Sequence, residues 1–493
     1  MTGARGPRRP RSGSGSGAGE PNPHRWRILS VSLAVGFMSL LDVTIVNVAL
    51  PSMRTGLDAD VATIQWVVSG YALTFGLVLV AGGRLGDAYG RRRMMLLGLT
   101  GFILASAAVG FAPTAELVVV ARLAQGASAG LLAPQNSGLI QELFTGEERG
   151  RAFGLFGFTV SISSALGPVL GGAVIALAGS EDGWRWLFWV NIPIGLAALL
   201  AIARLVPSEP PGGRADRVDI DVGGAVLLGA TVLVLLYPLV SLESGQRLPL
   251  VLLVAVPPLA WAFVRWEFGR VRAERPPLLD VALLRRLPGY AEGLAVGALY
   301  FTGFTGVLLV LSVFLQEGLG ASALATGLLL TPFALGSAIT SPVAGRLVTR
   351  FGRRVTLVSL TTMMSGLVLV AAIAPGRDLD ALAWLLVPML LLAGLGGGGV
   401  ISPNFALTLQ EVPTRMAGAA GGALQTGQRI GSSFGAAALM TVYGVAVASG
   451  ADPGTALRAA LATALVALAL ALTVAVRSRR TERRAARRDP GPL

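Results

Sequence analysis

The sequence predicts an all-α polytopic membrane protein with fourteen transmembrane helices. Of its 493 residues, 53% are hydrophobic and only 14% are charged, whereas soluble domains carry about 25% charged residues. The mean hydropathy is +0.68. A chain of this length with so few charges does not suit a water-facing surface, so most of its apolar residues are expected to face lipid or other helices.

Fourteen apolar runs are long enough to cross the hydrocarbon layer as helices, which takes about 20 residues. They lie near residues 28–50, 63–83, 93–112, 116–138, 152–178, 185–206, 222–241, 248–267, 290–316, 325–348, 355–375, 381–405, 417–448 and 456–476. The tail before the first run is rich in Pro, Gly, Ser and Arg, a composition typical of disordered segments.

The distribution of arginine predicts the orientation, because the sequence contains no lysine. With the N-terminus inside, 33 of the 40 arginines fall in cytoplasmic segments, five in outer loops and two within spans. Basic residues of membrane proteins concentrate on the cytoplasmic side. Both termini are therefore predicted to lie in the cytoplasm of a cell membrane, and the arginine-only, Ala/Gly-rich composition hints at a bacterial source.

The composition also bears on partners and chemistry. A net charge of +13 could indicate nucleic-acid binding. The basic end at 477–488 continues the pattern of the cytoplasmic loops, however, which favours an interaction with anionic lipid headgroups. With no cysteine and one histidine, His24, in the polar tail, neither a Cys or His metal site nor a His-dependent triad is expected. No cofactor, nucleic acid or obligate protein partner is predicted, and the protein is not expected to be an enzyme.

An internal repeat divides the chain. Three glycine-containing patterns recur after 262, 264 and 269 residues: 83–92 as 345–354, Gly167 and Gly171 as Gly431 and Gly435, and Gly130 and Pro134 as Gly399 and Pro403. Each match joins a span to the eighth span after it, two more than a direct repeat of six spans would give. The predicted order is a disordered tail (1–27), a six-helix half (28–206), two additional helices with linkers (207–289), a second six-helix half (290–476) and a basic cytoplasmic tail (477–493).

The segment Gly83-Arg-Leu-Gly-Asp87-Ala-Tyr-Gly90-Arg91-Arg92, between spans two and three, resembles the loop motif of the major facilitator superfamily. Its glycines permit a tight turn, and its arginines suit the inner interface. The resemblance implies the major facilitator fold, in which Gly83, Asp87, Gly90, Arg91 and Arg92 would control the switch between inward- and outward-facing states. Thr349 replaces the acid in the second copy, so the first copy alone is expected to act in that switch.

Other stretches resemble the fourteen-helix drug:proton antiporter family, and the resemblance runs from about residue 28 to 476. They are residues 41–51, 65–71, 184–193 and 314–316. Residues 122–126 resemble the intramembrane arginine motif of the superfamily. The glycines and proline of span five resemble the antiporter motif, namely Gly167, Pro168, Gly171 and Gly172. They are expected to form a bend that seals the pathway against proton leakage, a role compatible with plain small-residue packing.

Asp42 is the one acid well inside a span, and an ionisable group there is a functional candidate because it is costly in lipid. At 1.5 Å per residue it lies about 21 Å from the inner face and about 9 Å from the outer face, and Arg122 is also about 9 Å from the outer face. The family resemblance implies that both spans line a central cavity, so the two can interact. Our hypothesis makes Asp42 the proton carrier and Arg122 its modulator. The alternative for Asp42 is a purely structural hydrogen bond, and the alternative for Arg122 is a structural role as a partner for backbone carbonyls.

Further polar residues occur in the spans. Arg429 is expected either to pair with polar groups across the two halves or to attract an anionic substrate. The possible cavity-lining residues are Asn47, Gln65, Asn136, Asn191, Gln316, Asn404, Gln425, Gln428 and Arg429. Several of them could instead satisfy backbone groups freed near prolines, since such groups need partners in lipid.

These features predict a proton-coupled exporter of amphipathic small molecules or antibiotics, driven by the proton gradient. The alternative is an uptake transporter of a small metabolite on the same fold, since fold alone does not give function. A non-transporting membrane scaffold has no support, because no large soluble domain is present. Span ten contains no acid, which argues against multivalent cations and favours monovalent or neutral substrates.

Overall fold

The computed structural model describes residues 22–179, 182–207, 221–243 and 248–488. These residues form helices and no strands, and fourteen helical stretches are long and apolar enough to cross a membrane. The predicted all-α polytopic architecture is thereby confirmed. Of the predicted disordered tail (1–27), residues 1–21 lie outside the described part of the chain, whereas residues 25–27 already belong to the first helix, so that prediction is wrong for them. The linker at 208–220 and the last residues, 489–493, also lie outside the described part.

The first six spans consist of seven helices. They are α1 (Arg25–Gly56), α2 (Val61–Tyr89), α3 (Arg91–Phe111), α4 (Ala115–Leu143), α5 (Gly146–Ala178), α6 (Gly183–Trp189) and α7 (Asn191–Leu205). Side-chain caps mark two of the beginnings: Asp60 accepts from the backbone N–H of Thr63 before α2, and Thr114 accepts from that of Leu117 before α4. The sixth span, read from the sequence as one run, is divided into α6 and α7 at Val190.

Two further spans and six spans of a second half follow. The additional pair is α8 (Val222–Glu243) and a 3₁₀ segment (Leu248–Ala255) that continues as α9 (Val256–Arg272). A short α10 (Leu283–Arg286) leads to α11 (Pro288–Val313), α12 (Ala323–Phe351), α13 (Arg353–Ile373), α14 (Leu379–Thr408), α15 (Ala417–Ala448) and α16 (Pro453–Arg488). A π-helical turn (Phe314–Gly318) extends α11.

The last helix is longer than the apolar run that predicts it. The run ends near residue 476, but α16 continues to Arg488. No glycine or proline interrupts the chain between them, and the alanines and arginines of this stretch favour helix. Loss of apolar character therefore ends the span there without ending the helix.

The two halves repeat the same packing. In the first half α1 packs on α5, and α2 and α3 pack on α4; in the second, α11 packs on α15, and α12 and α13 pack on α14. The junctions α2/α3 and α12/α13 each turn at a glycine with positive φ, Gly90 (95°) and Gly352 (54°). The sequence repeat thus corresponds to a repeat in three dimensions.

The contacts between the halves include two close crossings at glycines. At α2/α15, any side chain at Gly83 would collide with the backbone of Gly418; at α5/α12, one at Gly345 would collide with Gly150. Both crossings lie at the end of the bundle that carries Gly90 and Gly352, here called the motif end; the opposite one is the far end. The additional helix α8 packs on α2 and α15, beside the first crossing, and on α9.

Candidate functional site

A buried ion pair joins α1 to α4 towards the far end of the bundle. Nη1 of Arg122 donates to Oδ2 of Asp42 at 2.5 Å. Asp42 is 2% exposed and Arg122 is 1% exposed, so neither has appreciable contact with solvent. Asp42 lies 17 residues along α1 from Arg25, about 26 Å from the start of the helix. The two residues that the sequence places at one depth are therefore in direct contact.

Amide and hydroxyl groups complete the surroundings of the carboxylate. Oδ1 of Asp42 accepts from Nε2 of Gln125 at 3.1 Å and from Nδ2 of Asn191 at 3.0 Å. Both amides also donate to Oγ of Ser106 on α3, at 2.8 and 3.4 Å. Oδ2 thus accepts from α4, and Oδ1 accepts from both α4 and α7. These hydrogen bonds compensate the carboxylate for the water that it loses on burial.

The guanidinium of Arg122 is held independently of Asp42. Its Nε donates to the carbonyl of Val67 at 2.9 Å, and Nη1 also donates to Oε1 of Gln125 at 2.8 Å. Its carbon Cζ lies 4.2 Å from the ring centre of Tyr71, close enough for a cation–π contact. If Asp42 were neutralised, these three contacts would still hold the cation in place.

Sequence reasoning named Asp42 and Arg122 as a pair and Asn191 as a cavity residue, but it missed the roles of Gln125, Ser106 and Tyr71. A signal existed for Gln125, which is polar in an apolar span and three residues after Arg122, hence on the same helix face. Ser106 and Tyr71 gave none, because their roles depend on how α2 and α3 are rotated against α4.

Arg429, on α15, reaches the first half through an aromatic ring. Its carbon Cζ lies 4.4 Å from the ring centre of Phe75 on α2. The residue is half-buried, and within the described ranges its guanidinium makes no hydrogen bond or ion pair. Its contact across the halves is therefore a stacking contact, and the polar pairing considered from the sequence is not formed with described residues.

Asn136, Asn404 and Gln316 make hydrogen bonds. Asn136 accepts from Oγ of Ser32 between α4 and α1, and Nδ2 of Asn404 donates to the carbonyl of Gly293 at 3.1 Å. Both asparagines are buried, so they tie neighbouring helices together. Gln316 is exposed and donates to Ser312 four residues earlier in the chain.

The remaining polar candidates differ in exposure. Asn47 is exposed and Gln65 is half-buried. Gln425 and Gln428 are buried on α15, and Nε2 of each has no acceptor among the described residues. Unsatisfied buried donors are uncommon, so this face of α15 is of interest for ligand binding.

The loop motif between spans two and three lies at the first crossing. The carboxylate of Asp87 accepts from the backbone N–H groups of Gly418 and Ala419, both at 2.9 Å, and from Nη2 of Arg91 at 2.8 Å. These N–H groups belong to the first turn of α15, where they lack partners within the helix and the helix dipole attracts negative charge. Asp87 therefore fastens the first half to the second.

Arg91 and Arg92 of the motif also contact other helices of the first half. Nε of Arg91 donates to Glu142 of α4 at 3.1 Å, and Arg92 donates to the carbonyl of Ala203 at the end of α7. In the second copy, Thr349 donates to the carbonyl of Arg346 in its own helix and forms no hydrogen bond across the halves among the described residues.

The glycines of α5 allow that helix to approach α1. A side chain at Gly167 would collide with Thr44, whose hydroxyl donates to the carbonyl of Ser163 at 3.2 Å. Gly171 is buried, whereas Gly172 faces open space. The side chain of Pro168 lies outside the described part of the structure. Close packing explains Gly167 directly.

The fold, the repeated helix packing and the fourteen candidate spans define a class: a multi-pass helical membrane protein built from two six-helix halves with two additional helices. The sequence pattern of the Major Facilitator Superfamily matches residues 33–436. The chain belongs to this superfamily, and it is not an enzyme. Among the described residues no group of histidines and acids could hold a metal ion.

Relatives of the chain include antibiotic transport and resistance proteins. A probable actinorhodin transporter of Streptomyces coelicolor is 37% identical over 85% of this chain and 72% of its own length. The puromycin resistance protein of Streptomyces alboniger is 37% identical over 87% of this chain and 84% of its own. The solved structure of the human organic anion transporter MFSD10 has a TM-score of 0.67 at 18% identity, over 92% of this chain and 100% of that one, a likeness that shows the fold.

Proposed function

We propose that the protein is a proton-coupled secondary active exporter of amphipathic small molecules or antibiotics, with Asp42 as the proton carrier. The observation that carries this proposal is the buried contact of Asp42 with Arg122, in a cluster that joins five helices of the first half. A carboxylate so placed is costly in a membrane unless it has a function or a full set of partners. The partners here bind the charged form, and Arg122 keeps other contacts when that form is lost.

The proposed cycle assigns the motif end to the cytoplasm, in keeping with the distribution of arginines. With the motif end closed by Asp87, Asp42 would receive a proton from the outside and its carboxylate would become a neutral acid. Arg122 would lose an ion-pair partner but remain held by Val67, Gln125 and Tyr71. The weakened tie between α1 and α4 would favour the state open to the cytoplasm, where substrate enters and the proton leaves Asp42.

Two lines of support concern the cargo and the energy source. The printed names of the relatives refer to actinorhodin and puromycin, which supports export of antibiotics or similar compounds. No cofactor is invoked, because the proton gradient supplies the energy. The partners would be the substrate, protons and the lipids of a bacterial cell membrane, with both termini in the cytoplasm.

The experiment uses everted vesicles that contain the protein and a pH-sensitive dye inside. After the vesicles are energised, a panel of amphipathic aromatic antibiotics is added, and release of internal protons is followed. Wild type should release protons with at least one compound, and Asp42→Asn should release none. Asp380→Asn, which removes an exposed carboxylate at the start of α14, is the matched control and should behave as wild type.

Two results would contradict the proposal. Proton release that persists in Asp42→Asn would remove Asp42 from the role of carrier. Substrate moving in the same direction as protons would replace export with the uptake function that the fold also permits.

A further inference from the structure

The face of α15 that carries Gln425 and Arg429 has hydrogen-bond donors without acceptors. The two residues are four apart in one helix, so their side chains share a face. Nε2 of Gln425 and of Gln428 has no acceptor among the described residues, and the guanidinium of Arg429 has neither a hydrogen bond nor an ion pair there. This surface therefore lacks acceptors, which a bound molecule could supply.

The stacking of Arg429 on Phe75 leaves its donors available. A guanidinium is planar, and its N–H groups point outwards in that plane. Cζ lies 4.4 Å from the ring centre of Phe75, and the N–H groups form no hydrogen bond with the described residues. The ring thus orients the cation while leaving a fork of donors, the geometry that suits a carboxylate or sulfonate.

The charge of Arg429 is also not neutralised by its surroundings. Asp42, the carboxylate deep in a span, is already bound to Arg122. Arg429 is half-buried, so its charge is partly withdrawn from bulk water without gaining an acidic partner among the described residues. Such a charge attracts an anion strongly in a low-dielectric environment.

Aromatic surface lies close along the neighbouring helix. Thr305 of α11 donates to Ser432 of α15 at 3.0 Å, and Ser432 is one helical turn from Arg429. Phe301, four residues before Thr305, shares its face of α11 and is half-buried. Its ring centre lies 5.8 Å from that of Phe304, which in turn contacts Phe333. A ring system could pack on this surface beside the cation.

We propose that the exporter carries aromatic compounds with one acidic group, and that this anion binds to the guanidinium of Arg429. The inference rests on the proposed export function, since it names the class of compound exported. It leaves proton transfer to Asp42, so substrate anion and proton use different residues. Gln425 is a positioning residue that supplies a further donor beside the site.

Binding of two dyes with nearly the same ring system tests the inference. 8-Anilinonaphthalene-1-sulfonate carries a sulfonate, whereas N-phenyl-1-naphthylamine lacks it. Fluorescence titrations are made with the full-length protein in zwitterionic nanodiscs, with empty nanodiscs subtracted and no proton gradient. Wild type should bind the sulfonate dye, and Arg429→Gln should weaken that binding at least about tenfold, the size of one charge-assisted contact. Binding of the uncharged dye should stay within about twofold.

Arg286→Gln removes an arginine that is exposed in α10 and serves as the matched control. Both dyes should bind to it as to wild type. If Arg429→Gln does not fold, Arg429→Lys takes its place, because lysine keeps the charge but loses the planar fork and should weaken only the sulfonate dye. Phe75→Leu, which removes the ring beneath the cation, should also weaken the sulfonate dye selectively.

Three results would overturn the inference: no binding of the sulfonate dye to wild type, no change on substitution of Arg429, or equal loss of both dyes. The outcome is separable from the proposed function. Asp42→Asn should keep the dye preference, since it does not touch Arg429. If Asp42→Asn still releases protons, the proposed export mechanism is wrong but the anion site stands. If the preference for the sulfonate dye does not depend on Arg429, the anion site is wrong but the export mechanism stands.

Discussion

The two six-helix halves share their helix packing but differ in their charges. The first half holds a carboxylate and a guanidinium in contact, Asp42 and Arg122, within a fully bonded cluster. The second holds Arg429 with a ring beneath it and no acid beside it in the described part of the chain. A repeated scaffold thus carries chemistry that is not repeated. In our two proposals, the first half exchanges a proton and the second half offers a site to an anion.

The two crossings between the halves show the same contrast on a smaller scale. Gly83 against Gly418 and Gly345 against Gly150 are both too close for a side chain, yet Asp87 at the first crossing corresponds to Thr349 at the second. The reason lies in where the partner helix begins. Gly418 is in the first turn of α15, so its N–H has no partner within the helix and donates to Asp87. Gly150 is one turn inside α5, which begins at Gly146, so its N–H is bonded within that helix. An acid at position 349 would find no unpaired backbone N–H beside Gly150.

The largest expected effect distinguishes the two arginines. Asp42→Leu leaves Arg122 as a buried charge without its partner and should destabilise the protein by about 3–5 kcal/mol. The double variant Asp42→Leu/Arg122→Leu should recover most of that loss. Arg429→Leu, which removes only a stacking contact, should cost about 1–2 kcal/mol or less. Thermal unfolding of the purified proteins in one detergent gives the order of stability of these variants.

Equal destabilisation by Asp42→Leu and Arg429→Leu would contradict the different environments described for the two arginines. A double variant no more stable than Asp42→Leu would show that the ion pair is not the main source of the cost.

An intermediate effect is expected at the first crossing. Asp87→Asn replaces charge-assisted hydrogen bonds to the first turn of α15 by weaker ones, a loss of about 1–2 kcal/mol. That should lower the ratio of closed to open molecules at the motif end by roughly a factor of ten. Reactivity of a single cysteine in place of Ser137, which is buried against Gly421 across the halves, should rise accordingly. Unchanged reactivity would mean that small-residue packing alone closes this end.

The smallest effect is expected at the second crossing. Thr349→Asp should not strengthen closure and should not rescue Asp87→Asn, because the N–H groups of α5 near Gly150 and Gly154 are engaged within the helix. The same cysteine-reactivity measurement applies. Rescue by Thr349→Asp would show that the two crossings are interchangeable and would remove the explanation given for their difference.

Much of the fold and part of the site follow from local sequence. Span number comes from apolar length, and the contact of Asp42 with Arg122 was anticipated because depth along a helix is set by a fixed rise per residue. The rotation and tilt of each helix depend on its packing against other helices and not on the local sequence. The roles of Ser106 and Tyr71, and the choice of Phe75 as the partner of Arg429, therefore became visible only in three dimensions.

The division of span six was missed for a similar reason. Residues 185–206 form one apolar run, and hydropathy does not distinguish a continuous helix from two shorter helices joined at Val190. The consequence is functional, because α7 begins at Asn191, whose amide donates to Asp42.

The central claim is that protonation of Asp42 drives the switch between states, and a distance measurement at the motif end tests it most directly. The sequence has no cysteine, so spin labels at Arg93→Cys and Arg354→Cys, both exposed at the starts of α3 and α13, report on the two halves alone. The distance between the labels should change with pH when Asp42 is present and should be independent of pH in Asp42→Asn. The same pH dependence in both proteins would contradict the account.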